Sequence, residues 1–245
     1  MIPAGKSASF QMVFRKYNEW YLIRRNFHSL TITGSLDALP AQQPVIYIMN
    51  HSSWWDGLLA YHAYNRTSVG DHYMMMEERQ LKRYDFFRKA GAFSIEKGSP
   101  SDVRQSMRYA AGLLEQSKRI WLFPQGEIRH LETRPLTFRP GIGLLLRQAP
   151  PETAVIPVTL HYGLYQQPRL QASLHIGEPI FQNWKQIGSS DCAEMLEDRL
   201  TVQLDQHSQQ LLLSKEGYLP DEVHLIGRKR TVDEKYDQYR KIRKR

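Results

Sequence analysis

His51 and Asp56 stand five residues apart in "NHSSWWDG", directly after the apolar run "PVIYIM". An imidazole that donates one N–H to a carboxylate presents its other nitrogen as a base. The spacing alone is weak, because the chain has nine His and one such match is close to what chance supplies. Geometry narrows the choice. Inside one regular helix, five steps of about 100° leave the two side chains about 140° apart, on different faces. They meet only if Met49 ends a strand, His51 lies in a loop, and Ser52 or Ser53 caps a helix whose first turn holds Asp56. The other reading of this segment is a structural His beside a helix-capping Asp.

A base of this kind has no obvious protein nucleophile to serve. The elbow G-x-S-x-G is absent, and the single cysteine, Cys192, lies far down the chain in a helical segment without a partner motif. His51 would therefore deprotonate a hydroxyl that belongs to the substrate, which then attacks an activated acyl group with no covalent enzyme intermediate. General-base help of this sort is worth roughly 10² to 10⁴ in rate. No H-E-x-x-H or clustered Cys/His pattern suggests a metal.

Two further loops carry charged groups. "GAFSIEKGS" ends a strand-like run with Lys97 beside Gly98, where a cation can meet phosphate or developing negative charge. "WLFPQGEIRH" breaks a buried-strand run at Pro124 and crowds Gln125, Gly126 and Glu127 into a tight turn.

These loops need a scaffold that brings them to one edge. "SLTITG", "PVIYIMN", "HYMMM", "AFSIEK", "RIWLFP", "AVIPVTLHYG" and "ASLHIGEPI" read as strands. Helical patterns fall between them, after residue 52 and at about 77–90, 101–117 and 140–148, with 190–214 after the last strand. Strands alternating with helices imply a single α/β domain: a mixed, mostly parallel sheet flanked by helices, with its chemistry on loops beyond the strands' carboxyl ends. At 245 residues the chain is long enough for one large domain of this kind.

Residues 10–25, "FQMVFRKYNEWYLIRR", place Phe10, Val13, Phe14, Tyr17, Trp20 and Tyr21 at helical spacing near Arg15, Lys16, Arg24 and Arg25. Such a helix either packs on the core or lies in a membrane interface. The expected division is 1–30 as this N-terminal helix region and possible interface anchor, 31–227 as the α/β domain, and 228–245 as a basic tail. Nine Lys/Arg in that tail against Asp233, Glu234 and Asp237 give it +6 of the net +8. The mildly basic body argues against nucleic acid as partner. Lipid headgroups, an acidic carrier protein or a phosphorylated substrate remain as anionic partners. No run approaches the ~20 apolar residues of a membrane span, and the lone cysteine fits a reducing compartment. The expected location is cytoplasmic, peripheral to the inner face of the membrane.

"NHSSWWD", "AFSIEKG", "FPQGE" and "VIPV", in this order, resemble the four motif blocks of the glycerolipid acyltransferase family, which includes the 1-acylglycerol-3-phosphate acyltransferases. The match spans about residues 45–160. The resemblance implies the acyltransferase fold, with His51 as catalytic base and Asp56 as its partner. Asn50, Lys97, Phe123, Pro124, Gln125, Gly126, Glu127 and Arg129 become the substrate-binding set, and Pro157 a structural or acyl-pocket residue. The donor it implies is a fatty acyl thioester on coenzyme A or acyl carrier protein, with no metal or redox cofactor. The acceptor is a lipid hydroxyl on a membrane.

This chain departs from the family pattern at the charged positions. Lys97 stands where an arginine is usual, Gln125 where a glutamate is, Glu127 where a threonine is, and Ile128 where an arginine is, with Arg129 next to it. Lysine lacks the bidentate fork of arginine, and Glu127 repels a phosphate dianion. The expected acceptor is accordingly a lysophospholipid, or alternatively a glycolipid or lipid-linked sugar such as a glycosylated carotenoid, rather than lysophosphatidic acid. Readings of other classes are a lipid hydrolase that uses the same pair on water, and a non-catalytic membrane-binding protein.

Overall fold

Val45–Met49 forms strand β2, and its unbroken apolarity has a simple cause. Val45, Tyr47 and Met49 enter one core and Ile46 and Ile48 the other, so both faces of the strand are buried. The computed structural model describes residues 1–165, 167–214, 216–227 and Tyr236; the rest of the expected basic tail 228–245 lies outside the described residues. Flanking β2 in sequence are β1 (Phe27–Thr33), β3 (His72–Glu77), β4 (Ala92–Ile95) and β5 (Arg119–Leu122). They are followed by β6 (Ala154–Gly163), β7 (Leu170–Ile176) and β8 (Val223–Ile226). The eight strands form one sheet in the order β4-β3-β5-β2-β6-β7-β1-β8. Only the β6–β7 and β1–β8 pairs are antiparallel.

Helices close both faces. The N-terminal rod runs as α1 (Ala8–Tyr17), a π-helical stretch Asn18–Ile23 and a last turn, α2 (Arg24–Asn26). With α3 (Asp56–Thr67) it covers the face that holds Tyr47, Met49 and Trp121. α4 (Glu78–Arg83) and α5 (Phe87–Ala90) follow β3. On the opposite face, α6 (Pro100–Glu115), α7 (Gly141–Leu146) and α8 (Ser189–Leu213) bury Met107, Leu145 and Leu196 against Ile46, Ile48 and Ile120.

Two elements differ from the sequence expectation. The single helix expected over 77–90 is two, because Tyr84 leaves helical geometry and turns Phe86 and Phe87 onto Phe14. Strand β8 was not foreseen; it is short, and only Leu225 and Ile226 of its four residues are buried. The N-terminal rod divides its apolar side chains: Phe10 and Phe14 pack inward, while Val13, Tyr17, Trp20 and Tyr21 stay exposed.

At the sheet edge where β5 begins, Arg119 is fully buried. Its guanidinium donates to Leu36 O at 2.9 Å, to Tyr47 Oη at 3.2 Å, to Ser68 Oγ at 3.3 Å and to the Asp37 carboxylate. His72 completes the network, accepting from Trp121 Nε1 at 2.9 Å and meeting Ser68 Oγ at 2.7 Å. Burial, with Arg119 nearby, pulls the His72 imidazole down to about 3, so it is neutral. Burial raises the Asp37 carboxyl, but the Ser68 hydroxyl, the Val69 N–H and Arg119 together hold it below its ordinary value.

Removing Arg119 takes a donor from the buried Leu36 carbonyl and Tyr47 hydroxyl and the cation from Asp37, which is 26% exposed, at a combined cost of about 3 kcal/mol. Arg119→Ala is therefore expected to lose about 3 kcal/mol in urea unfolding. Because the folded Asp37 is the more acidic form, its contribution is complete above the unfolded carboxyl value and lost as pH falls through the folded one. Acid titration of the wild type and Asp37→Asn monitored by circular dichroism checks this: the variant should show less stability lost over that range.

Candidate active site

Parallel strands β2 and β5 deliver their following loops to the same edge of the sheet as the far end of β6. Asn50, the first residue past β2, is buried, and its side-chain amide bonds Leu160 of β6 in both directions, Nδ2 to O at 2.9 Å and N to Oδ1 at 2.8 Å. This pair of bonds sets where the chain leaves the sheet. His51 then enters a short loop before α3.

The Asp56 carboxylate is fully buried in the first turn of that helix. Four donors converge on it: His51 Nδ1 at 2.8 Å, Ser52 N at 2.7 Å and Ser53 N at 2.9 Å on Oδ2, and Tyr162 Oη at 2.5 Å on Oδ1. That is the pattern an ionised carboxylate needs once it leaves water, and the helix N-terminus favours the same charge. Both serines supply backbone N–H groups to Asp56, and Ser53 Oγ also accepts from Trp55 N at 3.2 Å, so the helix itself starts at Asp56 rather than at residue 52 or 53. Burial, together with the Asp56 carboxylate beside it, raises the Tyr162 hydroxyl far above the ordinary phenol value, which keeps it a donor.

His51 is about one fifth exposed, at 21% of its side chain. Its ring stacks on Phe123, centroids 4.3 Å apart. With Nδ1 donating to Asp56, the lone pair is on Nε2, which has no hydrogen-bond partner among the described residues. The backbone of His51 is held on both sides by the loop after β5: its N–H donates to Gln125 Oε1 at 2.7 Å, and its carbonyl accepts from Arg129 N at 3.0 Å. Asn50 and Gln125 are both buried, with the Asn50 amide on Leu160 and Gln125 Oε1 on the His51 N–H.

The charged residues collect around the turn at Gly126, whose positive φ of 74° is a conformation that suits glycine. Lys97 Nζ donates to Gly126 O and to Glu77 Oε2, the latter at 3.2 Å. Glu127 accepts from Arg129 Nε at 3.0 Å and Nη2 at 2.6 Å. Arg129 first, then Arg139 and Lys97, hold the Glu127 carboxyl below its ordinary value. Pro124 accepts from Arg139 N at 3.0 Å, and Pro157 sits within β6 opposite Ile48, its carbonyl taken by Gly177 N and Gln203 Nε2.

Sequence reasoning missed Tyr162, Glu77 and Arg139. Tyr162 had a signal, since it follows Leu160 by two in the expected strand and so shares its face. Finding its partner required knowing that β6 lies beside β2. Arg139 carried no signal at all.

The mixed, mostly parallel α/β fold is the one that the four blocks implied. The acyltransferase family model matches residues 30–161, and the chain belongs to that family. It is an acyltransferase, similar to the 1-acylglycerol-3-phosphate enzymes. Among solved structures, the fold is similar to that of PlsC, the 1-acyl-sn-glycerophosphate (LPA) acyltransferase from Thermotoga maritima, with a TM-score of 0.58 and 15% identity over 81% of this chain and 79% of that one. Comparison with curated protein sequences finds no match.

Tyr162→Phe removes one of four donors from a buried carboxylate, a loss of about 1.5 kcal/mol for a hydrogen bond to a charged group. It should cut the rate roughly tenfold and lower stability by about 1.5 kcal/mol. Steady-state kinetics and urea unfolding of the purified variant check both.

Proposed function

We propose that this acyltransferase moves a fatty acyl group from a thioester, on coenzyme A or acyl carrier protein, to a hydroxyl of a lipid acceptor. One observation carries the reading: His51 Nδ1 is committed to Asp56 and its Nε2 lone pair is unspent. Nε2 takes the proton from the acceptor hydroxyl as its oxygen bonds the thioester carbonyl carbon. The tetrahedral intermediate then breaks its carbon–sulfur bond, and the imidazolium returns the proton to the departing thiolate. Asp56 stabilises the transient imidazolium without leaving its three other donors.

The acceptor is a lysophospholipid, a glycolipid or a lipid-linked sugar in preference to lysophosphatidic acid. Supporting this, Lys97 and Arg129 are already paired with Glu77 and Glu127, so a phosphate dianion near the Gly126 turn meets partly neutralised cations and a carboxylate. Ile128, half-exposed at 53%, offers an apolar side chain where the family motif has a guanidinium.

His51→Ala should lower acyl transfer by about 10² to 10⁴ and, because it removes one of the four donors to Asp56, lower stability by about 1.5 kcal/mol. Unaltered activity would sink the mechanism. With purified enzyme, product should be greater on a sugar-bearing lipid or a lysophospholipid than on lysophosphatidic acid, and little free fatty acid should appear. Glu127→Thr should raise turnover of lysophosphatidic acid by about tenfold, equivalent to ~1.4 kcal/mol. Mass spectrometry of the acylated products measures each of these, and a wild-type preference for lysophosphatidic acid overturns the acceptor assignment.

A further inference from the structure

Trp54, three residues after His51, is a large apolar side chain left half in water, at 52% exposure. Its backbone is pinned. Trp54 and Trp55 are the central residues of a turn closed by Asp56 N on Ser53 O at 3.2 Å, and Ser53 N donates to the Asp56 carboxylate at 2.9 Å. Within the same turn Ser53 Oγ accepts from Trp55 N at 3.2 Å. The bonds that fix Asp56 beside His51 therefore fix Trp54 as well.

The indole is held too. It packs edge-on against Trp55, ring centres 5.1 Å apart and planes at 78°. Trp55 packs edge-on against Phe27 at 5.2 Å, and Phe27 lies 6.1 Å from Tyr162, the phenol that donates to Asp56. Edge-to-face contacts of this kind are the favoured geometry of aromatic pairs. Core packing accounts for Phe27, which is fully buried, and for Trp55, which lies against the core. It does not account for a third ring held in place outside.

The loop after β5 brings polar groups to the same histidine. Arg129 N bonds the His51 carbonyl at 3.0 Å, so the Glu127–Arg129 ion pair stands beside it, with 49% and 35% of the two side chains exposed. Glu127 Oε1 takes both bonds from Arg129, which leaves Glu127 Oε2 and Arg129 Nη1 unspent among the described residues. A carboxylate acceptor and a guanidinium donor whose charges offset each other suit neutral hydroxyls.

We infer that Trp54 is the platform for a sugar ring on the acceptor lipid, with the hydroxyl rim of that ring turned to Glu127 and Arg129. A pyranose has an apolar C–H face and a polar edge, which matches an indole half in water. An acyl chain gains more from an enclosed apolar cavity. A phosphate dianion gains nothing from an indole face, which carries partial negative charge. A quaternary ammonium, which an indole does attract, meets the cations Lys97 and Arg129 at this rim. The inference deepens the acceptor reading above and rests on it for the hydroxyl that reacts.

The test compares an alkyl glucoside with an alkyl glycerol ether of the same chain length, each as acceptor in the same detergent micelles, for the wild type, Trp54→Leu and Trp54→Phe. Selectivity for the glucoside, the ratio of the two kcat/KM values, should fall about tenfold in Trp54→Leu, through KM. It should stay within about threefold of the wild type in Trp54→Phe, which keeps a ring. An unchanged ratio in Trp54→Leu overturns the inference, as does an equal loss on both acceptors, which would assign Trp54 to the alkyl chain or to the fold. Saturation-transfer NMR of the glucoside with His51→Ala separates binding from reaction: the sugar protons should be saturated, and adding Trp54→Leu should abolish this. That binding result, together with no acyl transfer to any sugar-bearing lipid by the wild type, would uphold the platform and refute the acceptor reading. Sugar protons left unsaturated overturn the platform, while transfer to a lysophospholipid would leave the acyltransferase reading standing.

Discussion

Burying the Asp56 carboxylate is the constraint on which the surroundings of His51 depend. An ionised group taken out of water without compensation costs several kcal/mol. Here no Lys or Arg among the described residues bonds it, and the compensation comes from two backbone N–H groups, a phenol and the imidazole itself. Each donor fixes something else. Ser52 and Ser53 must present their amides inward, which delays the start of α3. Tyr162 must lie beside the loop, which requires β6 to extend past β2. His51 must point Nδ1 at the carboxylate, which settles its tautomer and leaves Nε2 for chemistry.

The loop after β5 makes that arrangement rigid. Gln125 and Arg129 grip the two sides of the His51 peptide, and Phe123 lies under its ring. His51 thus stands on one loop, Asp56 on the first turn of the helix that follows it, and the clamp on a loop 74 residues away. Supports of this kind matter because displacement of a base by a fraction of an ångström already costs rate. The charged rim outside the clamp is a different matter, since Glu127, Arg129 and Lys97 are mutually paired and reach solvent.

The two ends of the sheet solve opposite electrostatic problems. At one, a buried carboxylate is matched by neutral donors and keeps a usable histidine. At the other, a buried guanidinium is matched by carbonyls, hydroxyls and Asp37, and its histidine is held neutral by burial and by Arg119. Both networks join loops across the sheet, so each secures connections that hydrophobic packing alone leaves unspecified.

The sequence by itself determined seven of the eight strands and the edge at which the loops after β2, β4 and β5 gather. An unbroken apolar run such as Val45–Met49 must be buried on both faces, and parallel strands place the loops after β2, β4 and β5 together. His51 and Asp56 were legible for the same reason: strand, loop and helix start are local features, and five residues of chain suffice to bring the pair into contact. What only the tertiary structure decided was who bonds to whom at a distance. Tyr162 reaches Asp56 across 106 residues, and Asn50 reaches Leu160 across 110; no pattern in either segment encodes the other. The N-terminal helix makes the same point, because its periodicity marks aromatics without saying which meet a partner. That choice fell to Tyr61, Phe86 and Phe87, which cover Phe14 and leave Trp20 and Tyr21 to the solvent.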